Sequence, residues 1–176
     1  MIYGNGIDIV SIDRIAKIYN NFGDIFVNKI LTNSEFTTLK QHKNYEKQGI
    51  VNQDWMVNFL AKRFAAKEAT AKALGTGIGG CFSFHDIEVF SNNSGKPILT
   101  INQDKLASFL VQSSDISSFK AKMTIPEMTI PKMIIPKMII PKAIIWQNFC
   151  FHLSISDETK IGKGFAIANV IAEIII

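Results

Sequence analysis

The stretch Phe59–Gly80, FLAKRFAAKEATAKALGTGIGG, constrains this chain more than any other. On a 3.6-residue period, Leu60, Phe64, Ala71 and Leu74 form one apolar stripe of a helix. Lys67 falls inside that stripe, and Glu68 sits at its edge, one turn past Phe64. A helix that only had to pack would carry Leu or Ala there. A carboxylate at a packed edge is costly unless a cation or hydrogen bonds compensate it. Glu68 therefore requires a partner, and the candidates are Lys72, four residues on, and a metal ion. The helix stops at Gly75, and Gly77, Gly79 and Gly80 follow. Glycine permits positive φ and close backbone approach to a ligand. In P-loops and dinucleotide folds the glycines precede the helix, so that its N-terminus meets the phosphate. Here they follow it, and both motifs are excluded by order alone.

The chain has 176 residues, a one-domain length with enough chain for a core, and it is 47% hydrophobic, which argues against global disorder. No run of eighteen apolar residues is free of charge or proline, so no membrane span is expected. The start, MIYGNGIDIV, lacks the basic region of a secretory signal. Cys81 and Cys150 are then reduced thiols in a cytoplasmic protein. A net charge of +4 suits an acidic partner or a polyphosphate ligand and does not call for nucleic acid.

Tyr3, Ile7, Ile9, Val10 and Ile12 predict a short buried strand, interrupted by Asp8. Asp8 is thus the second carboxylate at a position expected to pack. Ser11 caps a helix over Ile12–Tyr19, with Asp13 in its first turn and Arg14 and Lys17 on its outer face. Thr32-Asn-Ser-Glu35 is a capping box for a helix ending near His42; residues 43–53 read as a loop, and Asp54 caps the long helix. Phe82–Phe90 reads as a strand, Asn92–Gly95 as a turn and Pro97–Ile101 as the hairpin partner. A helix is expected over Gln103–Gln112. Alternation around Phe151–Ser156 predicts a half-exposed strand, Asp157–Gly164 a connection, and Phe165–Ile176 a buried strand.

Met123–Lys142 reads MTIPE MTIPK MIIPK MIIPK. A proline at every fifth place forbids a helix and spoils an interior strand. The repeat is expected to be an extended low-complexity insertion, at about 120–146, in an otherwise single domain spanning 1–176.

Asp8 and Glu68 together could share a divalent cation. Mg²⁺ takes one or two carboxylates and fills its other places with water and phosphate oxygens. Arg63, Lys67, Lys72 and the glycine run lie near Glu68 in sequence and make a candidate site for a pyrophosphate-bearing ligand. A plain Glu68–Lys72 helix pair, with Asp8 capping something local, explains the same residues without any ligand. His42, His85 and His152 are scattered and suggest no zinc set.

Four stretches resemble the holo-acyl-carrier-protein synthases, the short 4′-phosphopantetheinyl transferases of bacterial fatty acid synthesis. They are GNGIDIVSIDRI at Gly4–Ile15, KILTNSE at Lys29–Glu35, FLAKRFAAKEATAKALGTGIG at Phe59–Gly79 and FHDIEVFSNNSGKP at Phe84–Pro97; HLSISDE and FAIANVIAE near the end add to the likeness. The resemblance implies an α+β fold with a long helix packed on an antiparallel sheet, and a homotrimer with active sites between subunits. It implies that Asp8 and Glu68 hold Mg²⁺, that Arg63, Lys72 and Gly75 bind coenzyme A phosphates, and that Arg14 and Lys17 face an acidic acyl-carrier protein. It implies that the carrier's serine attacks the β-phosphate of coenzyme A. Glu68, or a water on the metal, takes the proton, and Lys72 stabilises the departing adenosine 3′,5′-bisphosphate. Ser156-Asp157 departs from the Ser-His of many relatives, and an acidic residue cannot hold a 3′-phosphate as histidine can. The alternatives are a transferase serving another kind of carrier, a catalytically impaired homologue that only binds carrier protein, and an α+β domain without chemistry.

Overall fold

The computed structural model describes residues 1–46, 53–112, 149–160 and 163–175. The proline repeat Met123–Lys142 lies outside them. The described elements run β1 (Ile2–Ser11), α1 (Ile12–Phe22), α2 (Asp24–Ile30), α3 (Asn33–Glu46), α4 (Gln53–Ala73), β2 (Ile87–Ser91), β3 (Pro97–Ile101), α5 (Gln103–Gln112), β4 (Phe149–Lys160) and β5 (Lys163–Ile174). The fold is α+β. An antiparallel sheet in the order β1-β5-β4 carries α4 across one face, and β2-β3 form a separate hairpin.

The inner face of β1 is set by how closely α4 approaches it. A β-carbon on Gly4 would collide with the Ala73 carbonyl, and one on Gly6 with the Ala69 carbonyl. Ala65, Ala66, Ala69 and Ala73 on α4 are buried, so small residues on both sides bring the two backbones together. This reverses the expected strand. Period two puts Gly6, Asp8 and Val10 inward and turns Ile7 and Ile9 outward, 51% and 61% exposed. The isoleucines are not core residues, and Asp8 does not interrupt a buried face; it occupies the helix-facing one.

β5 alternates in the same way. Ala166, Ala168, Val170 and Ala172 are buried, while Phe165 and Ile167 are exposed on the face shared with Ile9, the cross-strand partner of Ile167. Its expected burial on both faces is corrected to burial on one. β4 and β5 pair from Phe149↔Ile174 to Lys160↔Lys163, so Asp157 belongs to a strand opposite Ala166 and not to a connection.

Other boundaries shift for local reasons. Ser11 caps α1 by accepting from the Arg14 N–H at 3.3 Å, as expected, and the helix runs on to Phe22, where Gly23 ends it. α2, a short helix, has no counterpart in the sequence reading. α3 continues through Glu46, four residues beyond the expected His42 end, and α4 begins at Gln53, with Asp54 inside its first turn. Between Phe82 and Phe90 only Ile87 onward is strand. Before it, Ser83 and Asp86 cap each other across a 3-10 turn at Phe84–Asp86.

The Thr32–Glu35 capping box is present: Thr32 N–H donates to Glu35 at 2.8 Å, and Glu35 N–H to Thr32 Oγ1 at 3.3 Å. The Glu35 carboxylate reaches further. It accepts from Val89 N–H at 2.9 Å and from Lys67 Nζ at 2.6 Å, tying α3, β2 and α4 into one buried junction.

Candidate active site

α4 delivers two charged side chains toward β1. Lys72 Nζ donates to Asp8 Oδ1 at 2.8 Å and to the Ile7 carbonyl at 3.1 Å, while its stem stays half exposed. An ammonium has three donors, so one stays uncommitted among the described residues. Glu68, one turn earlier on α4, forms no hydrogen bond or ion pair among the described residues. Its carboxyl titrates above the ordinary range, first because it is partly buried and next because Asp8 stands nearby; Lys72 opposes both. Of the two partners expected for Glu68, Lys72 is committed to Asp8 instead. Asp8, Glu68 and Lys72 thus converge from β1 and α4, although about sixty positions separate Asp8 from Glu68 in sequence.

Two carboxylates sharing one ammonium leave one formal negative charge, with Glu68 short of a partner. Such a donor set fits a hard divalent cation completed by water or phosphate oxygens. Among the described residues no group of three or more His, Cys, Asp or Glu gathers as metal ligands. Among the described residues, the side chains that could hold such a cation are Asp8 and Glu68.

Lys67 must be removed from the phosphate site suggested by its position in sequence. It is fully buried, and its three donors go to Glu35 at 2.6 Å, the Ile30 carbonyl at 2.8 Å and the Phe84 carbonyl at 2.9 Å. Burial lowers its pKa, and Glu35 opposes that shift. Lys67 neutralises Glu35 and has no donor left for a ligand.

Gly75 ends α4 in a left-handed conformation, φ 72°. Gly75 N–H donates to the Lys72 carbonyl at 3.0 Å and Thr76 N–H to the Ala71 carbonyl at 3.0 Å, a Schellman closure that turns the chain away just past Lys72. Nothing lies where a Gly75 β-carbon would stand, so the backbone conformation is what calls for glycine here.

Arg63 does not join this group. It lines a cleft of about 360 Å³ with Asn58, Phe59, Lys62 and Asp157. Its guanidinium stacks 3.8 Å over the Phe59 ring, and its Nε is buried without a partner among the described residues. Burial lowers its pKa, and Glu35 partly offsets that. Nine residues of helix place Arg63 and Lys72 about 180° apart around α4 and about 13.5 Å apart along it. Lys62 pairs with Asp157 at 3.2 Å. Lys62 carried no sequence signal, because its partner is 95 positions away. On α1, Arg14 and Lys17 both face solvent while Ile15 packs inward, so the basic face expected there is present.

A long helix laid on an antiparallel sheet, with a carboxylate pair and a lysine meeting where helix and strand touch, defines an α+β domain with an acid–lysine site at its helix–sheet junction. The chain belongs to the 4′-phosphopantetheinyl transferase superfamily, whose pattern matches residues 4–124. It is 39% identical over 127 residues to the holo-[acyl-carrier-protein] synthase of Orientia tsutsugamushi (strain Boryong), covering 72% of this chain and 88% of that protein. In structure it resembles the holo-[acyl-carrier-protein] synthase of Neisseria meningitidis, with TM-score 0.60, 32% identity, and 98% and 99% of the two chains covered. It also resembles the Bacillus anthracis enzyme solved in complex with CoA (3′,5′-ADP), with TM-score 0.59, 32% identity, and 98% and 97% covered.

Proposed function

We propose that this protein transfers the 4′-phosphopantetheine group from coenzyme A to a serine of apo-acyl-carrier protein, releasing adenosine 3′,5′-bisphosphate and supplying holo-carrier for fatty acid synthesis. The observation that carries this reading is the meeting of Asp8, Glu68 and Lys72 from distant parts of the chain. Relatives that carry the synthase name, one of them solved with CoA (3′,5′-ADP), support it.

Asp8 and Glu68 would hold Mg²⁺, which when bound supplies charge neutralisation for the diphosphate. The remaining chemistry falls to side chains. The serine hydroxyl attacks the phosphorus that bears the pantetheine. The bridging P–O bond breaks, and its electron pair leaves with the nucleotide. Glu68 accepts the hydroxyl proton as general base. The uncommitted Lys72 donor meets the charge that grows on the leaving phosphate. Gly75 ends the helix just past Lys72 with open space where a β-carbon would stand, which gives a coenzyme A phosphate room to approach. Arg14 and Lys17 meet the acidic carrier.

Arg63 is assigned to the same coenzyme A, yet it projects from the side of α4 opposite Lys72. One protomer cannot easily bring both to one ligand, so the site is assembled from two copies in a homotrimer. Supporting this, Ile7, Ile9, Phe165 and Ile167 make an exposed apolar face on the sheet, of the kind that marks an association surface. No helix among the described residues is long and apolar enough to cross a membrane. A cytoplasmic location fits, as does a single domain that carries the proline repeat as an insertion without catalytic residues.

The test incubates the protein with coenzyme A, Mg²⁺ and apo-carrier and weighs the carrier by mass spectrometry. A phosphopantetheine adduct on the carrier supports the transferase. Carrier binding without any adduct would instead leave a binding module.

A further inference from the structure

Lys72 and a divalent cation draw on the same oxygen. Lys72 Nζ donates to Asp8 Oδ1 at 2.8 Å and to the Ile7 carbonyl at 3.1 Å. The two ends of the ion pair are unequal: the Asp8 side chain is 14% exposed and the Lys72 side chain 50%. The carboxylate is fixed where β1 meets α4, while the ammonium reaches it on a flexible four-carbon stem from the solvent side. A pair with one end in solvent is held weakly. A divalent cation shared by Asp8 and Glu68 would set two positive charges beside that ammonium, and like charges so close repel. An oxygen that accepts from an ammonium is also a poorer ligand than a free one. Of the two partners, the lysine is the one free to move.

We infer that Lys72 is a resident competitor at the metal position: its ammonium and the divalent cation contend for Asp8, so that loading the cation releases Lys72 from Oδ1 and frees that donor for a phosphate oxygen. This rests on the transferase reading and on Asp8 and Glu68 as the cation's ligands. It gives Lys72 a second duty of opposite sign. The residue that assists the leaving phosphate weakens the binding of metal alone, whereas a lysine that served phosphate only would leave that affinity untouched. The contact lies within one chain. Its loss is read as a difference between two proteins that share every other group, including whatever a second copy adds.

The experiment follows the melting temperature of the full chain as Mg²⁺ is added without coenzyme A or carrier, and takes the Kd for Mg²⁺ from the shift. Lys72→Met should melt below wild type in EDTA, because Asp8 loses its partner. It should nevertheless bind Mg²⁺ more tightly, by about fivefold or more, the order of one such ion pair released. Lys72→Arg keeps the competing charge and should stay near the wild-type Kd. Adding Glu68→Gln to Lys72→Met should abolish the gain, since the tighter binding belongs to the two carboxylates together. Lys72→Gln repeats the test if Lys72→Met does not fold. A Kd that Lys72→Met leaves unchanged or weakens overturns the inference, while a phosphopantetheine adduct on the carrier keeps the transferase standing. Tightening that survives Glu68→Gln also overturns it, because the gain is then the general effect of one lost positive charge. If neither wild type nor Lys72→Met binds Mg²⁺, the inference falls together with the Asp8–Glu68 metal site.

Discussion

Lys72 on α4 donates to Asp8 on β1 at 2.8 Å, and this bond leaves Glu68, one turn earlier on the same helix, without a partner of its own. One ammonium is shared unequally between two carboxylates. The unpaired one is partly buried, and its proton is held more tightly than usual. Such an arrangement is unfavourable in the folded protein alone and becomes favourable when a cation joins it.

Replacing Glu68 by Gln should therefore stabilise the metal-free protein while disabling it. A carboxyl whose pKa is raised on folding binds more protons folded than unfolded. Its ionisation thus lowers stability as pH rises from the ordinary Glu value of about 4.3 through the raised folded value. Glu68→Gln should melt above wild type at pH 7 in EDTA, and the gap should close as pH falls toward about 4. Added Mg²⁺ should raise the melting temperature of wild type more than that of the variant, and transfer should fall by at least about 10–100-fold. Equal melting curves at pH 7 in EDTA would show that the carboxyl is already compensated.

The Lys67–Glu35 pair makes the opposite case. Its residues are nearly inaccessible, with relative exposures of 0% and 2%, and every Lys67 donor is used within the protein. Lys67→Met removes the cation and strands Glu35 in the junction of α3, α4 and β2. Breaking one side of a buried pair costs about 3–5 kcal/mol. Urea unfolding of the variant should show a loss of that order. A loss below about 1 kcal/mol, the size of a surface pair, would mean that Glu35 finds another donor or takes up a proton.

These two lysines mark what the sequence could tell. Lys67 and Lys72 look alike in FAAKEATAKAL, each beside alanines on one helix. Periodicity places Lys67 inside the apolar stripe, and the capping box at Thr32–Glu35 is legible by itself. That the two meet depends on a contact 32 positions long, which no local pattern encodes. The same limit inverted β1. Val, Ile and Leu normally point inward, and Ile7 and Ile9 invite that reading. The decisive residues are Gly4 and Gly6, whose missing β-carbons admit the α4 backbone. The long helix, the β2–β3 hairpin, the two carboxylates and the basic face of α1 were legible, because each rests on local periodicity, capping or turn chemistry.

The exposed Arg14 and Lys17 should act on encounter with the carrier more than on coenzyme A. Charges at the rim of an interface act mainly through association rate and its salt dependence. With Arg14→Ala and Lys17→Ala combined, kcat/KM for the carrier should drop and become less sensitive to NaCl. The KM for coenzyme A should hardly move. Unchanged carrier kinetics and salt dependence would place the docking surface elsewhere.

The opposed directions of Arg63 and Lys72 on α4 permit a test of where the active site is assembled. Arg63→Ala and Lys72→Ala should each be strongly impaired as separate homo-oligomers. If a site draws Arg63 from one copy and Lys72 from its neighbour, mixing the two variants builds some sites with both residues intact. In a ring of heterologous contacts, random one-to-one mixing gives an intact Lys72 beside a neighbour's intact Arg63 at about a quarter of the sites. Co-refolding or co-expression of the pair should then restore about a quarter of wild-type transfer, a fraction set by this closed symmetry. If one protomer supplies both residues, no mixture contains an intact site, and the activity of the mixture stays at the mean of the two variants. Size-exclusion chromatography with light scattering on the same samples separates the remaining explanations. Trimers that form but fail to complement would place the site within one chain, and monomers would refute the proposed trimer and with it a site shared between copies.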